Sequence, residues 1–229
     1  MAIIRIKEQY LKPAVFGTTG LFLCLAVLYF LPVDIPHKIS FPLATLFVAG
    51  LWLLPWQMWL AMGLSAAGDY FGSCGNFLGQ MGFFALAHIS MIVFFIGRYF
   101  RKVENDGRLS ARAKGYLAIV FLCVTVVVAF AICRIAPGAP EGIVRIGVRI
   151  YALVIGAMLL LALLQRSSLY ALGGVLFVFS DFILAWNLFV EPIPGENYLI
   201  MIPYYLGQWL LWVRSSPFRT KTQIRLMRF

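Results

Sequence analysis

Charged residues are scarce in this sequence. Only 12% of its 229 residues are Asp, Glu, Lys or Arg, whereas ordinary soluble domains contain about 25%. Hydrophobic residues make up 62% of the chain, and its mean hydropathy is +0.89. This composition excludes an ordinary soluble protein and predicts an integral membrane protein.

Cysteine and histidine are also few, with four and two residues respectively. Cys24, Cys123 and Cys133 lie in apolar segments, and Cys74 stands alone near a turn. Neither CxxC spacing nor a pattern of His partners typical of zinc sites is present. We therefore expect no disulfide, no metal site and no cofactor.

Acidic residues are outnumbered by basic ones, nine against nineteen, which gives a net charge of +10. Such a surplus occurs in proteins that bind nucleic acid. Here, however, the basic residues lie beside apolar segments, where the positive-inside rule and anionic lipid head groups account for them. We therefore expect no nucleic-acid partner.

The apolar segments predict an all-α fold of about eight transmembrane helices in a single domain covering residues 1–229, since each span needs about 20 residues. The predicted helices cover 13–31, 40–54, 55 to the glycine-rich turn at 72–76, 76–97, 115–135, 142–164, 167–190 and 197–213. The charged segment RYFRKVENDGRLSARAK (98–114) is predicted to be a loop that separates two halves of four helices each.

The basic residues also predict the orientation in the membrane. Fifteen of the nineteen lie in the N-terminal segment, the central charged segment, the turn at Arg166 and the C-terminal tail. Four fall on the other side: Lys38, Arg134, Arg145 and Arg149. We therefore expect both termini to be cytoplasmic, in a multi-pass protein of the cell (inner) membrane.

Two aspartates lie inside apolar segments: Asp69 in GLSAAGDYFG and Asp181 in GGVLFVFSDFILAW. Asp69 shares a predicted helix face with Met58, Met62 and Ser65. Asp181 lies beside a stripe of small or polar residues at heptad spacing: Gly173, Ser180 and Asn187. Intramembrane acids are costly and often functional, although such an Asp can also simply join helices by a hydrogen bond.

The two acids occupy corresponding positions, each in the third helix of its half. Each is about 14 residues, or roughly 21 Å, from the cytoplasmic end of its helix. This match predicts a similar depth for both, and an internal duplication of four plus four helices would produce it.

Other polar residues are predicted at a similar depth. Tyr204 and Arg149 come about 10 Å from the outer face, and the acids about 9 Å. His88 comes nearer the midplane, where it either supports the acids or is a packing residue. Gln208 and Ser65 are candidates for the site or for a hydrogen bond between helices.

Four segments carry a family resemblance: GLSAAGD, FLGQMGFFALAHIS, GGVLFVFSDFILAWNLF and YYLGQWLL. They resemble the motifs of YhhN-type membrane proteins, the lysoplasmalogenase family, over roughly Lys38 to Leu211. The resemblance implies eight helices, cytosolic termini, and Asp69 and Asp181 as the essential acids. It also aligns Lys38 with a lysine of the family.

The activity implied by the resemblance is hydrolysis of the vinyl ether of a lysoplasmalogen, which releases a fatty aldehyde and glycerophosphocholine or glycerophosphoethanolamine. Paired carboxyls suit this chemistry, because one of two neighbouring acids stays protonated while the other stabilises a cation. The expected partners are a lysophospholipid substrate and membrane lipid. We expect four residues to bind the substrate, with Arg149 holding the phosphate: Arg149, Tyr204, Gln208 and Lys38. Four others are expected to support the acids: Ser65, His88, Ser180 and Asn187.

Two other classes of function fit the same residues. A proton-coupled transporter also uses paired intramembrane acids and internal repeats. A non-catalytic lipid-binding protein would use the acids only as hydrogen-bond partners between helices. The sequence does not indicate an oligomeric state.

Overall fold

The computed structural model describes residues 8–106 and 111–216. The basic N-terminal start before residue 8, the tail after Ser216 and residues 107–110 of the central charged segment lie outside this range. The predicted single domain over 1–229 therefore extends beyond the described residues at both ends.

The described chain forms eight α-helices and no strand. Their bounds are α1 Glu8–Phe30, α2 Phe41–Leu53, α3 Trp56–Ser73, α4 Phe77–Asp106, α5 Ala111–Phe130, α6 Ile143–Leu164, α7 Ser168–Phe189 and α8 Glu196–Ser215. A π-helical segment, Ala131–Ile135, and a 3₁₀ turn, Ala136–Gly138, continue α5. The prediction of an all-helical polytopic membrane protein is confirmed.

The central charged segment differs from its prediction as a loop. α4 continues through it as far as Asp106, and α5 already begins at Ala111. Arg, Lys and Glu are good helix formers, so a helix can extend beyond its apolar part without interruption. Charge indicates where a helix leaves the hydrocarbon and does not indicate where it ends.

Five of the described helices are long and apolar enough to cross a membrane. These spans are Tyr10–Phe30, Phe77–Phe100, Gly115–Gly138, Ile143–Leu164 and Ser168–Phe189. The span Gly115–Gly138 is the most apolar of the five, and only 11% of it is buried within the protein, as expected of a helix that faces lipid. The remaining helices, α2, α3 and α8, are shorter or more polar.

The two halves show corresponding helix packing. α3 packs most extensively on α4 in the first half, and α7 on α8 in the second. α7 and α8 approach closely at Gly173 and Gly207, since a Cβ on either residue would lie within 3.0 Å of the other's carbonyl oxygen. Consecutive helices pack in this way in many helical bundles, so the four-plus-four repeat stays a prediction.

Contacts between the halves close the bundle. α4 packs on α6, and α8 packs on α2. Trp212 donates from Nε1 to the carbonyl oxygen of Leu46 at 3.1 Å, and Tyr205 donates from its hydroxyl to that of Ile39 at 2.8 Å. α8 is thereby held against the first half, which places its polar residues near those of α3.

Candidate functional site

A cavity of about 210 Å³ lies among α1, α3, α4, α7 and α8. Its lining includes three carboxyl groups, from Asp69, Asp181 and Glu196. The other lining residues are Tyr29, Ile39, Gln80, Phe84, Ser180, Leu184, Asn187, Asn197, Ile200, Met201 and Tyr204. The structure thus places the two aspartates, which are 112 positions apart in the sequence, on one cavity with several polar lining residues, which we call the polar cavity.

Asp69 lies on the buried face of α3, together with the Met58, Met62 and Ser65 that its spacing predicted. Only 2% of Asp69 is exposed. The hydroxyl of Tyr204 on α8 donates a hydrogen bond to Asp69 Oδ2 at 2.9 Å. Aromatic rings hold Tyr204 in place, since Phe84 and Phe177 pack edge-on against it with centroid distances of 5.8 and 5.4 Å.

Asp181 is reached by a different set of groups. The hydroxyl of Tyr151 on α6 donates a hydrogen bond to Asp181 Oδ2. His88 on α4 lies beside both, with Nε2 3.1 Å from the Tyr151 hydroxyl and 3.7 Å from the same carboxyl oxygen. His88 is fully buried, whereas the Asp181 side chain is 11% exposed. Three helices thus contribute a chain of proton-carrying groups that ends at the cavity.

Tyr29, Glu196 and Asn197 form another part of the cavity lining. Tyr29 is in the last turn of α1, and Glu196 and Asn197 open α8 after Gly195, whose φ of 72° suits glycine. The Tyr29 hydroxyl donates a hydrogen bond to Asn197 Oδ1. Glu196 is partly exposed and Asn197 is exposed, so this part of the cavity connects to the surface.

The predicted supporting residues have identifiable partners. Ser180 donates to the carbonyl oxygen of Ile200 at 2.8 Å, and Asn187 Oδ1 accepts from the backbone N–H of Ile193 at 2.8 Å. Both also line the cavity. These bonds tie α7 to α8 and to the turn before it.

Ser65 and Gln208 are joined to each other. Gln208 Nε2 donates to Ser65 Oγ at 2.9 Å, and both residues are fully buried. Gln208 is absent from the cavity lining in the described part of the chain. Of the two roles open for this pair, the structure shows the hydrogen bond between helices.

Arg149 is not brought to the cavity, which corrects its expected convergence with the acids. The side chain is exposed, next to the buried Val148, because successive residues of a helix point about 100° apart. Its predicted position rested on depth, and a count of residues along a helix gives no direction. Arg145, one turn earlier, forms an ion pair with Glu141 at 3.0 Å.

Lys38 also lies outside the cavity lining as described, and its expected role in binding substrate stays a prediction. Its Nζ donates to the carbonyl oxygens of Leu31 and Val33, at 2.7 and 2.9 Å. The ammonium group therefore holds the turn between α1 and α2. It lies 6.0 Å from the ring centroid of Tyr29, which lines the cavity, as does the next residue, Ile39.

Tyr151 and Glu196 were missed by the sequence analysis. A signal existed for Tyr151, which lies one turn before Ile155 on the buried face of an apolar helix, where a phenol needs a partner. Glu196 gave a weaker signal, as an acid at the start of the last predicted helix. Among the described residues, no group of three or more His, Cys, Asp or Glu is placed to hold a metal ion.

Comparison with known proteins identifies relatives of this chain. The YhhN family model matches residues 21–215. Human lysoplasmalogenase TMEM86B is 41% identical over 61 residues, which are 27% of this chain and 26% of that protein. The rat protein of the same name is 44% identical over 62 residues, covering 27% and 26%, and the pig protein 39% over 69 residues, covering 29% and 30%.

The alignments with these curated relatives thus span little more than a quarter of their length. No solved structure matches the chain. The family match, in contrast, extends from within α1 to the end of α8 and so includes the polar cavity. This chain belongs to the YhhN family.

Proposed function

We propose that this protein hydrolyses the vinyl ether bond of lysoplasmalogens, which yields a fatty aldehyde and a glycerophospho-base. One observation carries the proposal: Asp69 and Asp181 line the same cavity within a helical membrane bundle. The relatives named lysoplasmalogenase support the substrate class.

The first step requires an acid. A carboxyl group donates its proton to the alkenyl carbon that is doubly bonded to the ether carbon. The electrons of the double bond form the new C–H bond. Positive charge then develops on the ether carbon and is shared with the oxygen. The second carboxyl, as carboxylate, stabilises this oxocarbenium ion, as in glycosidases.

The second step adds water. The water oxygen bonds to the ether carbon, and the carboxylate takes the released proton. The resulting hemiacetal collapses as the first carboxyl group, now a carboxylate, takes its hydroxyl proton and the second carboxyl gives a proton to the glycerol oxygen, which breaks the C–O bond. These two transfers leave the first carboxyl protonated and the second ionised, which is the starting state.

The surrounding polar groups suit this division of labour. Tyr204 orients Asp69, and Tyr151 orients Asp181. We propose that His88, beside Tyr151, helps return the proton to Asp181 after each turnover. These three residues act through the carboxyls and so are positioning residues.

The charge of the cavity favours the cationic end of a zwitterionic head group. Three carboxyls line it, and no Lys or Arg is among the described lining residues. The amine end of choline or ethanolamine would find Glu196 and the ring of Tyr29 there, a carboxylate and an aromatic face that both attract cations. We therefore propose this recognition in place of phosphate binding by Arg149.

The test is an assay of purified protein with lysoplasmalogen, scored for free aldehyde. The matched control is the saturated ether analogue, which has no vinyl bond to protonate. We expect aldehyde from the first lipid and none from the second. A transporter or a non-catalytic lipid-binding protein would release aldehyde from neither, and that result would overturn the proposal.

A further inference from the structure

Asp181 lies on α7 where the face toward the polar cavity meets the face toward an apolar pocket. On one side Ser180, Leu184 and Asn187 face the polar cavity. On the other, Val178, Phe182 and Ala185 line a small apolar pocket of about 60 Å³, and Asp181 lines that pocket as well. Among the described residues, Asp181 alone lines both the polar cavity and the small apolar pocket.

The small pocket is the inner end of a longer apolar groove among α5, α6 and α7. A second cavity of about 480 Å³ adjoins it. The two share five lining residues: Val124, Val127, Leu159, Val178 and Phe182. We call the combined space the α5–α7 groove. Its size falls in the range of about 300–1,000 Å³ that is usual for sites of small ligands.

The outer end of the α5–α7 groove opens toward the surroundings of the bundle. Val126, Phe179 and Val175 line it and are 60%, 47% and 46% exposed. At the inner end, Tyr151 and Asp181 are the only polar side chains among the described lining residues. A π-helical segment, Ala131–Ile135, contributes to the inner wall, and such segments occur frequently at functional sites.

We infer that the α5–α7 groove holds the hydrocarbon chain of a single-chain lipid whose head group occupies the polar cavity. This inference rests on the proposed function for the identity of the lipid. A vinyl ether joins head group to chain, so in this arrangement it lies where the polar and apolar spaces meet. Asp181 is the carboxyl at that junction.

This orientation also assigns the acid. The alkenyl carbon that receives the proton belongs to the chain, so it lies on the apolar side, next to Asp181. The ether carbon and the incoming water lie toward the polar cavity and Asp69. Asp181 is therefore the proton donor to carbon, and Asp69 stabilises the cation and takes the proton of water.

A second apolar groove provides an internal comparison. It lies between α1 and α2, has a volume of about 660 Å³, and is lined by residues such as Leu21, Val48 and Trp52. Although this groove is larger, none of its described lining residues belongs to the polar cavity. A chain bound there would not bring its head group to the acids.

Photolabelling tests the inference without turnover. The probe is a saturated 1-O-alkyl lysophosphatidylcholine with a diazirine in the middle of the alkyl chain, added to the full-length protein in lipid nanodiscs. Labelled peptides are mapped by mass spectrometry, with and without excess unlabelled lipid. We expect competable labelling on residues 123–130 of α5 and 175–182 of α7.

Two matched variants locate the labelling. Val127→Trp places a bulky ring in the α5–α7 groove, at a residue that is 40% exposed and lines both of its parts. Val48→Trp makes the same change in the α1–α2 groove, at a residue that is 54% exposed. Competable labelling should be lost in Val127→Trp and retained in Val48→Trp.

Three results would overturn the inference: labelling concentrated between α1 and α2, labelling spread evenly over the bundle without competition, or labelling of α5 and α7 that persists in Val127→Trp. Failure of the proposed function gives a different result. Competable labelling of α5 and α7 without aldehyde release would support the α5–α7 groove as a lipid site and contradict the proposed activity. Aldehyde release with labelling elsewhere would support the activity and contradict the groove.

Discussion

The hydroxyl of Tyr204 donates a hydrogen bond to Asp69 at 2.9 Å, and it does so from α8, in the half of the chain opposite to that of its acceptor. Tyr205, the next residue, donates instead to the carbonyl oxygen of Ile39. Both tyrosines are 3% exposed. Two adjacent and equally buried tyrosines thus differ in their acceptor, which is a carboxyl group for Tyr204 and a backbone carbonyl for Tyr205.

Tyr204→Phe should lower kcat for aldehyde release by about 10- to 100-fold, because a hydrogen bond to a charged group contributes about 1.5–3 kcal/mol. Tyr205→Phe serves as the matched control and should change kcat by less than about threefold. Steady-state kinetics on both purified variants measure the difference. Equal losses in the two variants would assign Tyr204 to the stability of the bundle rather than to Asp69.

Tyr151→Phe should likewise lower kcat with little change in KM, since it removes the donor to Asp181 and leaves the cavity otherwise intact.

His88→Gln should also lower kcat with little change in KM, because His88 lies beside both Asp181 and Tyr151. His37→Gln is the control, as His37 contacts Ser73 and is not in the cavity lining. A rise in KM without loss of kcat would contradict the proposed role of Tyr151 and His88.

Gln208→Leu should leave aldehyde release close to that of wild type. Hydrogen bonds between membrane helices contribute about 0.6 kcal/mol on average, and Gln208 Oε1 is buried with no partner among the described residues, so its removal offsets part of the loss. Thermal unfolding should shift by only a few degrees at most. A tenfold or greater rise in KM would show instead that Gln208 binds substrate.

The orientation of the chain can be tested by fusing a reporter after Phe229. We predict a cytoplasmic reporter, because fifteen of the nineteen basic residues lie in the segments that the sequence assigns to the same side as the termini. A reporter between α1 and α2, after Asp34, should lie on the opposite side. A C-terminal reporter outside the cytoplasm would contradict the orientation from which the depth of the acids was predicted.

Much of the fold was predictable, because apolar length alone determines where a chain can cross a membrane. The buried face of α3 followed from helical spacing, and the structure places Met58, Met62, Ser65 and Asp69 on it. The end of α4 was not predictable from charge, since helix-forming charged residues continue a helix into water. The predicted helix end was therefore wrong where the composition changes from apolar to charged while the backbone stays helical.

The two acids of the candidate site were predictable from the sequence, and the residues that contact them were less so. Asp69 and Asp181 stood out because carboxyls are rare in hydrocarbon. Arg149 was misplaced because depth along a helix leaves direction open, and Tyr151 was missed because its neighbours on α4 and α7 are distant in the sequence. Which residues share a cavity depends on how helices pack, and the spacing of residues along single helices does not reveal that packing.

The central claim is that Asp69 and Asp181 together hydrolyse a vinyl ether. Its most direct test is the rate of aldehyde release from lysoplasmalogen by Asp69→Asn and Asp181→Asn, with the exposed Asp34→Asn as control and thermal unfolding as a check on folding. We predict that each cavity variant loses at least about a hundredfold in rate, that the double variant loses little more, and that Asp34→Asn matches wild type. A folded Asp69→Asn or Asp181→Asn protein that releases aldehyde at the wild-type rate would contradict the claim.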